Sequence, residues 1–155
     1  MLEQLIRAEV RFVLIGGLAV NAWGYVRGTG DVDIVPDPSA ENLAKLDAVL
    51  KRLNGKVEGP GGLLAPEAIS TFLKAGDRTL VTTDLGHVDI LQGHPQVPAF
   101  AALDSEATDV EMDGLVVRVC SLEHLVSMKR ASERARDRDD IEALEAAQRT
   151  DAETD

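Results

Sequence analysis

The chain has 155 residues, 45% of them apolar, enough for one domain that removes roughly 70% of its unfolded surface from water, which excludes a disordered tail or a disulfide-stapled miniprotein. Its 27 acidic against 16 basic side chains give a net charge of −11, a field that repels nucleic acid and anionic membrane and so excludes general nucleic-acid coating. The longest apolar run, Phe12 to Val20, has nine residues including two glycines, against about 20 needed to cross a bilayer, and no basic region precedes an apolar stretch at the N-terminus. The expectation is a soluble protein without a membrane partner. A single cysteine, Cys120, cannot close an internal disulfide; it sits in an apolar strand pattern, reads as a buried structural thiol, and fits a cytoplasmic location.

In chain order, Leu2, Leu5 and Ile6 line a short amphipathic helix, and the apolar run Phe12-Val13-Leu14-Ile15 stops at Gly16-Gly17. This predicts a helix, a buried strand and a glycine turn, with a further helix over Leu18 to Tyr25. Asp31-Val32-Asp33-Ile34-Val35 alternates before Pro36, as a strand with both carboxylates on one face does. Asp37 is placed to cap the next helix, with Pro38 in its first turn, and Leu43, Leu46, Leu50 and Leu53 form an apolar stripe ending at Gly55. Residues 54–66 hold Gly55, Gly59, Pro60, Gly61 and Gly62, which predicts a flexible loop, a plain connection ahead of a lid over a site.

A brief helix from Pro66 to Lys74 is expected next, followed by strands Arg78 to Thr83 and His87 to Leu91 joined near Asp84-Leu85-Gly86. A second hairpin pairs Thr108 to Met112 with Leu115 to Val119 across Asp113-Gly114. Ser121 is placed to cap a helix with Leu122, Leu125, Val126 and Met128 inward, and another helix runs from about Asp137 to Gln148 with Ile141 and Leu144 inward. The acidic residues 149–155 are expected to fray, and neither a repeat nor a second domain is visible.

The chemistry concentrates in Gly16-Gly17, Asp31-Val32-Asp33 and His87-Val88-Asp89-Ile90. Residues two apart on a strand share a face at about 7 Å, so Asp31 and Asp33 can converge on hard cations, and a neighbouring strand can bring Asp89 to the same point. Three clustered carboxylates repel one another strongly without a cation. Mg²⁺ answers that repulsion, because it takes oxygen ligands and bridges carboxylates to substrate phosphates. Gly16 and Gly17 leave room for phosphate oxygens to approach backbone N–H groups at the start of a helix.

Gly16-Gly17, the run Arg27-Gly28-Thr29-Gly30-Asp31-Val32-Asp33, and His87-Val88-Asp89 resemble the signature of the DNA polymerase beta superfamily of nucleotidyltransferases. The segment Lys129 to Asp137, with Asp140-Ile141, resembles the closing segment of the AbiEii-like branch, which includes toxins of toxin and antitoxin pairs. The resemblance implies an α/β (α+β) fold, a mixed sheet flanked by helices, in one minimal domain over 1–148. It further implies transfer of a nucleoside monophosphate from a nucleoside triphosphate to an acceptor, RNA such as tRNA or protein, with two Mg²⁺ ions or Mn²⁺ in their place. Asp31 and Asp33 would hold both metals. Asp89 would hold the metal that activates the acceptor and could take its proton. Gly16, Gly17, Thr29, Lys129, Arg134 and Arg136 would bind the triphosphate. Gly17 stands where many superfamily members carry serine, and the further C-terminal domain of many branch members has no counterpart here, so the acceptor pocket is expected to be small or completed by an antitoxin or a second copy.

Plainer roles compete at several positions. Exposure on a strand outweighs a site role for His87, His94 reads as a loop residue, and helix packing outweighs base stacking for Trp23 and Tyr25. Thr29 can orient an aspartate and Arg27 can pair with an acidic residue, while Asp137 and Asp140 brace the last helix, Asp140 with Arg136 within reach. Two alternatives to the enzyme reading stand beside it: an antitoxin-like or degenerate domain that binds without turnover, and a small-molecule (antibiotic) nucleotidyltransferase that differs only in its acceptor.

Overall fold

Alternating apolar residues in short runs separated by glycine turns build an eight-stranded mixed sheet in the order β4-β3-β5-β6-β2-β1-β8-β7. The computed structural model describes residues 1–24, 31–132 and 135–154, with the side chains at 135, 136, 151 and 154 outside that description. The strands are β1 (Phe12–Ile15), β2 (Asp31–Pro36), β3 (Lys56–Gly59), β4 (Gly62–Leu64), β5 (Thr79–Thr83), β6 (Gly86–Ile90), β7 (Thr108–Met112) and β8 (Leu115–Val119). Helices α1 (Leu2–Arg7), α2 (Gly16–Ala22), α3 (Ala40–Arg52), α4 (Ile69–Ala75), α5 (Phe100–Glu106), α6 (Leu122–Ser132) and α7 (Ala135–Thr154) flank the sheet in one domain, with a 3-10 turn at Pro66–Ala68. Among the described residues, no helix is long and apolar enough to cross a membrane.

Two parallel pairings set the centre of the sheet. β1 lies antiparallel to β2 with Ile15 opposite Asp33, and parallel to β8; β2 in turn lies parallel to β6. Val13, Leu14, Ile34, Val88, Ile90 and Val119 are fully buried here, each worth roughly 1.5–3 kcal/mol of transfer free energy. Helix α2 packs on β1 and β2 and touches α6, which packs along α7, while α3 packs on α4 and α1. Cys120 is fully buried at the end of β8, and burial pushes its thiol up to about 12, consistent with a structural role.

The glycine-rich stretch 54–66 departs from the loop expected there. It forms the β3–β4 hairpin, with Val57 fully buried between Val81 and Leu64. Its glycines serve the turn: Gly62 has φ +117°, a conformation that L side chains rarely adopt. Three smaller differences follow from local chemistry. Helix α3 is capped by Ser39, whose Oγ accepts from the Asn42 N–H at 3.3 Å, while Asp37 accepts from the Ser39 N–H at 2.9 Å instead of capping the helix itself. Helix α5 buries only Leu103, too little for a periodic apolar signal. Helix α7 continues to Thr154, past the end expected at Gln148, because no glycine or proline interrupts the Ala- and Glu-rich segment. The Ser121 cap is present, its Oγ accepting from the His124 N–H at 3.1 Å.

Candidate functional site

The parallel register of β2 and β6 places Asp31 opposite His87 and Asp33 opposite Asp89. The three aspartates therefore share one face of two adjacent strands. Their environments grade inward: Asp31 is exposed, Asp33 half-buried, and Asp89 only 8% exposed. Burial first, then the charges of Asp89 and Asp31, raise the Asp33 carboxyl to about 6, against an opposing pull from Lys129 and Arg78.

Helix α2 begins at Gly16 itself, whose φ is +71°. A Cβ there would collide with the Asp33 carboxylate oxygen and lie 2.8 Å from its Cγ and 2.9 Å from its Cβ. Only glycine lets Asp33 lie flat against the strand-to-helix turn, so the first glycine serves the carboxylate as directly as any phosphate.

Arg78, one residue ahead of β5, grips Asp89 with a bidentate fork. Its Nε donates to Oδ1 at 3.0 Å and to Oδ2 at 3.2 Å, and its Nη2 donates to Oδ2 at 2.7 Å. Sequence reasoning missed this residue, yet a signal was present. The β5–β6 hairpin sets Leu80 opposite Asp89, so Arg78, two residues before Leu80, is the diagonal neighbour of Asp89 on the same face.

These groups open onto a cleft of about 420 Å³. Gly16, Gly17, Asp31, Asp33, Asp89 and Arg78 line one side, α6 contributes Leu125, Met128, Lys129 and Ser132, and the segment after β6 contributes Leu91, His94, Gln96 and Val97. His94, expected as a plain loop residue, is part of this wall. His87 is exposed, with Nδ1 3.2 Å from Thr82 Oγ1, and lies outside the cleft lining. Trp23 packs rather than stacks, its Nε1 donating to the Cys120 carbonyl at 3.0 Å.

Lys129 reaches the cleft wall, but its ammonium is held by buried carboxylates. Nζ lies 2.9 Å from Asp137 Oδ1 and 3.0 Å from Asp140 Oδ2, and Ser132 Oγ also meets the Asp137 carboxylate. Asp137 and Asp140 thus brace α6 against α7 with Lys129 as their shared cation, whereas the sequence suggested a brace within the last helix and Lys129 as a phosphate ligand. Tyr25, Arg27, Thr29 and Arg134 lie outside the described residues, as does the Arg136 side chain.

The donor set suits a divalent cation in its chemistry: hard carboxylate oxygens, one of them resisting ionisation through burial and like charge. Among the described residues, however, no three acidic, histidine or cysteine side chains already stand at metal-holding separation. The Arg78 fork takes up both Asp89 oxygens.

The sequence matches no protein-family model and no curated protein. Solved structures share its fold. The lincosamide antibiotic adenylyltransferase LnuA, lincomycin-bound, aligns with a TM-score of 0.68 at 18% identity, over 94% of this chain and 92% of that one. ANT(2'')-Ia in complex with adenylyl-2''-tobramycin aligns with a TM-score of 0.58 at 15% identity, over 96% and 91%. An antigenic nucleotidyltransferase-like protein from Paracoccidioides brasiliensis aligns with a TM-score of 0.59 at 18% identity, over 92% of this chain and 70% of that one. The chain has the nucleotidyltransferase fold.

Proposed function

We propose that the protein is a metal-dependent nucleotidyltransferase that moves a nucleoside monophosphate from a nucleoside triphosphate to an acceptor hydroxyl. The observation that carries this reading is the register that sets Asp33 beside Asp89 with Asp31 on the same face, at the mouth of a cleft walled by Gly16 and Gly17. Asp31, Asp33 and Asp89 would hold two Mg²⁺ ions, or Mn²⁺, which when bound neutralise the triphosphate and lower the pKa of the attacking hydroxyl. The acceptor oxygen bonds to the α-phosphorus, the bond to the bridging oxygen breaks, and pyrophosphate leaves. Asp89 takes the acceptor proton; Gly16 and Gly17 leave the backbone open to the phosphates. The presence of all three carboxylates on one face of β2 and β6 argues against a degenerate domain that only binds.

For the acceptor, a small hydroxyl compound is the first reading. One neighbour of the fold is a lincosamide antibiotic adenylyltransferase and another was solved with adenylyl-2''-tobramycin, and this chain spans more than nine-tenths of each. An RNA such as tRNA, or a protein, is the competing acceptor, and with it a toxin role and an antitoxin partner. That reading draws on the Lys129 to Asp140 segment, whose Lys129, Asp137 and Asp140 are joined in the interhelical brace. Thr29, Arg134 and Arg136 stay in the proposal as triphosphate contacts, and Lys129 joins them if phosphate draws its ammonium from the brace.

The test is incubation with each α-labelled nucleoside triphosphate and Mg²⁺, against total RNA, lysate protein, and a panel of hydroxyl compounds including lincomycin and tobramycin. Label on a panel compound supports the first reading, and label on RNA or protein supports the second. No transfer to any acceptor contradicts the enzyme.

A further inference from the structure

Asp89 belongs to the proposed metal site, yet both of its oxygens are engaged by Arg78 through three donor contacts of 2.7–3.2 Å. A bidentate guanidinium is the strongest hydrogen-bonding partner that a carboxylate finds among side chains, and it covers the lone pairs that a cation would use. Asp89 is largely buried, whereas the Arg78 side chain is 56% exposed and lines the cleft. One partner is fixed by its strand; the other stands on a flexible stem facing the space where a polyanion would lie.

Resting on the nucleotidyltransferase reading, we infer that Arg78 is an exchangeable positioning residue. Its guanidinium holds the Asp89 carboxylate, yields it to the incoming divalent cation, and passes to the triphosphate of the same substrate. The exchange keeps charge matched at each stage: Asp89 trades one cation for another, and Arg78 trades a carboxylate for phosphate, which it also binds through paired N–H donors. Binding of metal and of nucleotide are then coupled through one side chain, because triphosphate that captures Arg78 releases Asp89 for metal. The fork also orients Asp89 toward the cleft from the β5 side, opposite to Asp33 on β2.

The experiment titrates the full-length protein with Mn²⁺ alone, and separately with a non-hydrolysable ATP analogue plus Mg²⁺, in wild type, Arg78→Gln, Arg78→Lys and Asp33→Asn. Losing a competing cation should make Arg78→Gln bind Mn²⁺ at least about fivefold more tightly, while its affinity for the analogue falls about fivefold or more. Arg78→Lys, which keeps the charge but loses the fork, should lie between. An arginine that only stabilises the strand pair, or only orients Asp89 for metal, gives unchanged or weaker Mn²⁺ binding in Arg78→Gln, and that overturns the inference; so does unchanged affinity for the analogue. The two levels separate cleanly. If wild type binds Mn²⁺ and Asp33→Asn does not, the metal site stands and the Arg78 variants judge the exchange alone; if wild type binds no Mn²⁺, the metal site and the exchange fall together.

Discussion

Asp33 takes its place against Gly16 at a cost. Its carboxyl is raised from 3.8 to about 6 by burial, by Asp89 and by Asp31, so the native state holds a proton that the unfolded chain has released between those values. Stability should therefore fall as pH rises from about 4 to about 6 and stay lowered above that range. Asp33→Asn removes the ionisation. It should be more stable than wild type at pH 8 by on the order of 1–3 kcal/mol, and the difference should shrink toward zero near pH 4. Denaturant titrations of both proteins at the two pH values check this; a variant less stable at pH 8 would mean that the carboxylate is already well compensated. Gly16→Ala should act in the opposite direction, because it combines a positive φ with collision against the Asp33 side chain. A loss of about 2 kcal/mol or more in unfolding free energy is expected. The three aspartates were legible because alternation on a strand fixes which side chains share a face. Arg78 was not, although the expected strand included it, because it becomes a neighbour of Asp89 only through hairpin register.

Elements that look alike in composition separate once pairing is considered. The stretch 54–66 reads as a loop from its glycines, yet one buried valine and its cross-strand partners hold it as a hairpin. Helices α6 and α7 present the reverse case, a basic cluster whose counter-ions decide its meaning. Lys129 is 8% exposed, between Asp137 at 1% and Asp140 at 0%. Removing one partner from such a buried cluster leaves charge without its counter-ion, so Lys129→Met should destabilise the protein by about 3 kcal/mol. Adding Asp137→Asn and Asp140→Asn should recover most of that loss. Denaturant midpoints for the single and triple variants decide between brace and ligand: a single variant that keeps its stability but loses triphosphate affinity would assign Lys129 to phosphate. The charge pattern could not distinguish these roles, because the sequence supplies the acidic partners without saying which of them are buried.

On the scale of the whole molecule, the sheet order brings β2 and β6 side by side across the 49 residues of hairpin, helix and strand from 37 to 85. The alternating strands and the class of fold were readable in the sequence; helix α5 was not, since one buried leucine leaves no periodicity. The assembled site is acidic in a chain of net charge −11, and a triphosphate is also an anion. Divalent cation and triphosphate should therefore stabilise the protein together far more than either does alone, each removing the repulsion that opposes the other. Thermal melts with Mg²⁺, with a non-hydrolysable ATP analogue, and with both are the most direct test of the metal and nucleotide site. At about a hundredfold over the dissociation constant, the combined ligands should add roughly 2.7 kcal/mol, or about 5 °C or more in Tm, and that shift should vanish in Asp31→Asn. A combined shift no larger than the sum of the separate ones, or one that survives in Asp31→Asn, would contradict it.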